Sequence, residues 1–151
     1  MTSASGISLT SIITPISESE GVSCDSSQTI SEFYDCITER TGDLYRISYT
    51  CTEKDAQYTT QIVFSIHEKN KLRVRRSGDI SSDMLFEVGH THFFLYRISP
   101  YSFDASVTAS EVSVSDGPGE YDIDICVKYL LTVGNESSVC EMHIRTEGKD
   151  G

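Results

Sequence analysis

The chain has 151 residues, and its 12 Lys and Arg against 23 Asp and Glu give a net charge of −11. That length suits one domain with its own core. The acidity excludes a nucleic-acid binder, which gains affinity by neutralising phosphates with cations, and an anionic membrane surface; it favours a basic partner.

Taken in order, the first six residues are small and polar and are expected to be disordered, leaving 7–151 as the folded domain. Ile7 to Ile13 reads as a strand that Pro15 ends. Ser17 to Gln28 is a polar, acidic loop containing Cys24. Thr29 to Arg40 is the helix candidate. Ile30, Phe33, Tyr34 and Ile37 recur at helical spacing, Thr29 and Glu32 fit a capping box, and Gly42 sits where a helix would stop. From Leu44 onward the pattern becomes strand after strand: Leu44 to Cys51, Tyr58 to His67, Lys71 to Arg76, Asp83 to Val88, Thr91 to Ile98 and Asp104 to Ser115, with Ser99-Pro100 as a break.

The longest alternation runs from Glu120 to Val133. Tyr121, Ile123, Ile125, Val127, Tyr129, Leu131 and Val133 fall on one face; Asp122, Asp124, Cys126 and Lys128 fall on the other. A turn at Gly134-Asn135 and a second alternating run, Ser138 to Thr146, predict a C-terminal hairpin whose apolar face needs another sheet to cover it. Short strands, turn residues and one short helix together predict a mainly β protein, a β-sandwich of two sheets.

Five cysteines stand at 24, 36, 51, 126 and 140, without the Cys-x-x-Cys spacing of a zinc ribbon. Such scatter suits disulfides in an oxidising compartment, and face parity makes Cys51 to Cys140 a candidate bridge between sheets. Asn135-Glu136-Ser137 is a glycosylation sequon at the hairpin turn, which also points to secretion. No signal peptide precedes it, so a secreted protein would correspond to a mature form or a fragment, and no apolar run is long enough to span a bilayer.

Enzymatic signatures are missing: there is no Gly-x-Ser-x-Gly elbow and no phosphate-binding glycine loop. No enzyme and no cofactor are expected. His90 and His92 share a face, but spacing identifies no third metal ligand, and His67 and His143 read as lone strand residues. The run Arg73-Val74-Arg75-Arg76 reads as a solvated strand edge that blocks aggregation. Asp122 and Asp124 point the same way; on an open face they would stay ionised and attract cations, whereas acid–base catalysis would need a cleft and shifted pKa values.

Cys126-Val127-Lys128, then Cys140, then Lys149-Asp150-Gly151, together with the strand from Leu44 to Cys51, resemble the secreted chemokine-binding proteins of poxviruses. The whole chain is similar to the SECRET domain, the chemokine-binding domain at the C-terminus of viral soluble tumour necrosis factor receptors of the cytokine response modifier D type. The resemblance implies a monomeric β-sandwich, secreted from infected cells, that captures basic host chemokines on one sheet face and blocks their activity. The cysteine-rich repeats that bind tumour necrosis factor would precede such a domain and are absent from this chain. Carried over, the resemblance places Tyr121, Asp122 and Asp124 in the chemokine-binding face, with Tyr45 and Arg46 on one neighbouring strand and Asp104, Ser106 and Thr108 on another. The alternative is a related immune-evasion domain that binds another host protein, such as a class I histocompatibility molecule. A carboxylate hydrolase at Asp122 and a purely structural spacer are the remaining classes.

Overall fold

Alternating apolar residues dominate the chain, and the backbone follows that alternation into strands almost everywhere. The computed structural model describes residues 2–17, 21–22, 27–53, 55–65, 67–68, 70–116 and 122–148. The strands are β1 (Thr2–Ser17), β2 (Gly21–Val22), β3 (Gln28–Thr41), β4 (Leu44–Glu53), β5 (Ala56–Ser65), β6 (Lys71–Gly78), β7 (Ile80–Glu87), β8 (Thr91–Ile98), β9 (Tyr101–Asp116), β10 (Ile123–Val133) and β11 (Glu136–Gly148).

From β3 to β11 each strand pairs with the next in sequence, and β1 pairs with both β3 and β11. The β1–β11 ladder runs antiparallel from Ser5↔Gly148 to Ile16↔Ser137 and closes the sheet on itself. β2 hangs from the end of β1 outside the ring, so ten of the eleven strands form a closed up-and-down barrel. This corrects the expected two-sheet sandwich. The apolar face of the β10–β11 hairpin is covered by the far wall of its own sheet rather than by a second one.

The predicted helix is also corrected: Thr29 to Arg40 lies within β3. Its helical spacing divides between the two sides of a strand. Ile30 and Tyr34 face inward with Cys36 and Thr38, whereas Phe33 and Ile37 face out and are exposed. An isolated helix of that length is marginal, and the segment is rich in β-branched and aromatic residues. As a strand it gains ladders on both edges, to β1 from Thr2↔Glu39 to Ile13↔Gln28, and to β4 from Ile37↔Ser48 to Thr41↔Leu44. The same pairing draws Thr2 to Gly6 into β1, where disorder was expected. Pro15 does not end β1 either; it lies beyond Ile13, the last residue that β3 reaches.

The C-terminal hairpin forms as the alternation predicts, in register from Ile123↔Thr146 to Val133↔Glu136. Gly134 takes a positive φ in its turn, a conformation most side chains resist. On β9 the inward set is Ala105, Val107 and Ala109, then Val112 and Val114. The change of parity is a bulge: Lys128 of β10 pairs with Glu111 and Tyr129 with Ala109, so Ser110 is left over, and its hydroxyl donates to the Lys128 carbonyl at 3.2 Å.

The interior is packed unevenly. Towards the end where β1 begins, it is filled by Ile7, Ile47, Leu72, Phe86, Val127 and Ile144, each no more than 1% exposed. The opposite end, where β1 finishes and β8 turns into β9, is open. β7 and β8 pair only at Ile80↔Ile98 and Ser81↔Arg97, beside this open end, so the wall is loosest farther along, toward the β7–β8 turn.

Candidate functional site

The open end leads into a cavity of about 450 Å³ inside the barrel. Strand pleating decides what lines it, because every second residue of each strand faces in. Ile13 from β1, Ile30 from β3, Phe94 and Tyr96 from β8, and Leu131 and Val133 from β10 supply an apolar and aromatic wall. Met84, Tyr129 and Met142 stand deeper, and Tyr129 packs against Phe86 of the filled half with ring centroids 4.7 Å apart.

One cation enters this apolar space. On β6 the residues Leu72, Val74 and Arg76 face inward, while Arg73 and Arg75 face out. Arg73 forms a two-pronged pair with Asp83, Nε to Oδ1 at 2.8 Å and Nη2 to Oδ2 at 2.5 Å, and Arg75 approaches the same carboxylate at 3.9 Å. The Arg73 guanidinium holds the Asp83 carboxyl below the usual carboxylate range. None of the ion pairs among the described residues includes Arg76. Its guanidinium lies 6.0 Å from the ring centre of Tyr58, and its Nε is buried without a hydrogen-bond partner. Ser82, opposite Arg76 in the β6–β7 register, also buries its hydroxyl without a partner.

A polar layer continues around this point. Thr60, opposite Arg76 in the β5–β6 register, is fully buried. Burial raises the Tyr49 phenol, and the positive charge of Arg76 pulls the other way. The same opposition acts on Tyr129. Tyr34 stacks on Tyr49 at 5.2 Å, and its hydroxyl donates to the Glu32 carboxylate; burial first and that bond second raise the Tyr34 phenol. Glu32 lines the cavity but its carboxylate is engaged by Tyr34. The result is an apolar chamber with a positive centre carrying donors that the protein leaves unused. Buried polar groups are nearly always satisfied, so an orphaned donor on a cation that lines a cavity suggests that something else completes it.

The residues expected to form a binding face do not converge. Asp124 is exposed on the outer surface of β10, as the alternation predicts, and its carboxylate lies 3.7 Å from Arg145. Asp122 is half-buried and has a partner of its own. Tyr121 lies outside the described residues. Asp104, Ser106 and Thr108 sit on the outer face of β9 but near the other end of β10, since Thr108 pairs with Leu130 whereas Asp124 pairs with Ser115. The Thr108 hydroxyl is 2.7 Å from that of Thr91. Tyr45 corrects its expected role as a surface anchor: it is buried on the inner face, stacked on Phe64 at 5.2 Å. Arg46 faces the opposite way, on a strand five places from β9 around the ring. Asn135 is exposed in its turn.

The disulfide expectation is corrected as well. Cys36, Cys51, Cys126 and Cys140 are free thiols, and Cys24 lies outside the described residues. Cys51 and Cys140 both face inward, as parity predicts, but β3 and β1 stand between their strands. At about 4.8 Å per strand the Cα atoms are far beyond the roughly 7 Å that a bridge can reach. The argument for an oxidising compartment rested on those bridges and lapses with them.

Arg76 is the residue that sequence reasoning passed over. Its signal was present in the parity of Leu72, Val74 and Arg76, which separates it from the outward cations of the same run.

A search of curated proteins finds no match. Among solved structures the chain is similar to the crystal structure of the ywiB protein from Bacillus subtilis, with a TM-score of 0.76, 17% identity, and coverage of 97% of this chain and 93% of that one. Identity that low speaks for the fold alone, but it is the fold of a bacterial protein over nearly the whole chain. The resemblance to a poxviral SECRET domain, and with it chemokine capture and immune evasion, is overturned. Short strand-forming stretches such as Leu44 to Cys51 carry no information on how strands connect, so they match sandwich and barrel alike. The model of a domain of unknown function, DUF1934, matches residues 14–145, and the chain belongs to the DUF1934 family.

Proposed function

We propose that this barrel is a binding protein for a small amphipathic anion, an apolar body with a carboxylate or phosphate head, held inside the open half. The carrying observation is Arg76: a guanidinium in an apolar chamber, with its Nε unpartnered next to the unpartnered hydroxyl of Ser82. Burying a polar donor without a partner costs about 1–3 kcal/mol, and an anionic head reaching the Arg76 guanidinium from the chamber would recover it through charge-assisted hydrogen bonds. The chamber volume falls within the roughly 300–1,000 Å³ typical of small-molecule pockets. Phe94, Tyr96, Leu131 and Val133 offer the apolar body a wall leading to the open end. The reading keeps the expectation that the chain acts by binding rather than by catalysis.

Isothermal titration with decanoate and with decanol tests it. The expected result is saturable binding of the carboxylate, at least about tenfold tighter than the alcohol, since hydrogen bonds to a charged group contribute about 1.5–3 kcal/mol. No heat from either compound, repeated with an aryl phosphate, or equal affinity for acid and alcohol, would remove the proposal.

A further inference from the structure

Outside the chamber, on the outer face of the C-terminal hairpin, the structure brings together three side chains that no element of the proposed binding function uses. Cys126 of β10 stands directly opposite His143 of β11, and Glu141 lies two residues before His143 on the same face. The Cys126 Sγ is 3.9 Å from the His143 Nε2, and that nitrogen is 3.0 Å from the Glu141 Oε1. One donor atom of each residue lies within 4.8 Å of the other two.

We infer that Cys126, Glu141 and His143 form a site for a divalent first-row transition metal, with Zn²⁺ as the best fit. Thiolate, imidazole and carboxylate are the three protein ligand types that Zn²⁺ takes, in tetrahedral geometry with bonds of about 2.0–2.3 Å. Tetrahedral angles on such bonds put neighbouring donors about 3.3–3.6 Å apart. The separations of 3.9 and 3.0 Å from the His143 Nε2 bracket that range, and the Cys126 Sγ and the Glu141 carboxylate lie within 4.8 Å of each other, so side-chain rotation can bring the three donors onto one ion. The frame is rigid: two neighbouring strands hold the three residues in the middle of an unbroken ladder. The nearby cations do not oppose a metal ion, because Lys128 is paired with Glu111 at 3.3 Å and Arg145 with Asp124 at 3.7 Å. Glu141 and His143 are accessible, with side-chain exposures of 35% and 50%. On binding, Cys126 gives up its thiol proton to solvent, and His143 binds through its neutral ring. Three protein ligands leave a fourth position to water.

The bland alternative is a surface histidine–glutamate pair with a thiol nearby, and a cobalt titration separates the two. Reduced protein freed of metal with a chelator is titrated with Co²⁺, and the thiolate-to-cobalt absorption in the near ultraviolet is followed. The expected result is one saturable site showing that band, displaced by Zn²⁺, absent in Cys126→Ser, and retained in Cys24→Ser. His143→Gln should weaken binding at least about tenfold. All three ligands face outward, so the variants should keep the far-ultraviolet circular dichroism of the parent. A protein that shows no thiolate band at saturating Co²⁺, or a band that Cys126→Ser leaves in place, would overturn the assignment; should that variant fail to fold, unchanged affinity in His143→Gln would do the same.

Discussion

Replacing Arg76 with methionine should move stability and binding in opposite directions. Methionine fills much of the same space without a charge. The substitution removes a buried Nε that has no partner, worth about 1–3 kcal/mol to the folded state. Against this stands the loss of the contact between the guanidinium and the Tyr58 ring at 6.0 Å, which contributes about 0.5–1 kcal/mol. The balance is a gain centred on about 1 kcal/mol, which for a chain of this length raises Tm by roughly 2–4 °C. The same change should weaken decanoate by a factor of about 10 to 150, corresponding to about 1.5–3 kcal/mol for a hydrogen bond to a charged group, while leaving decanol unaffected. Thermal unfolding without ligand, paired with isothermal titration, reads both effects. A residue held for function at the expense of stability should show this crossed pattern. If Arg76→Met lowers Tm by several degrees, Arg76 is a structural residue and the reasoning fails. If decanoate binds the variant as it binds the parent, the head group is held elsewhere.

Three further outcomes can be measured directly. Gly78 has a φ of +127°, and a Cβ added there would stand 2.7 Å from the Gln57 carbonyl oxygen, so Gly78→Ala should cost about 1–3 kcal/mol in urea unfolding. The folded-state pKa of Asp83 is depressed, so its pairing with Arg73 contributes stability that is fully present above the unfolded value of about 3.9 and lost as pH falls through the lower folded value. The pair is substantially exposed, so Asp83→Asn should cost no more than about 1 kcal/mol at pH 7, and the difference from the parent should shrink in strong acid when unfolding is followed against pH. Cys36 and Cys51 are buried and unbridged, so a thiol reagent should reach them only in denaturant and without added reductant, whereas half-exposed Cys126 should react in the folded, metal-free protein.

Local pattern decided a great deal about this protein. Period-two alternation is a property of the pleat itself, so the strands from Leu44 onward, the C-terminal hairpin and the inward parity of Ile123, Ile125 and Val127 were legible from neighbouring residues alone. The placement of Asp124 on the outer face followed from the same rule. The segment from Thr29 to Arg40 was not legible, because a spacing compatible with a helix is equally compatible with a strand whose two faces both carry apolar residues. There the two edges of β1 and β4 settled the matter. Closure was invisible for a similar reason: Ser5 meets Gly148, almost the full chain apart, and no local alternation distinguishes a sheet that closes from one that needs a partner sheet. The candidate sites divide along the same line. Residue parity put Arg76 on the face of Leu72 and Val74, and Cys126 on the face of Asp124. Only the tertiary structure made the first face the inside of a chamber and set His143 against the second, because pairing between strands and curvature of the wall depend on contacts far apart in sequence.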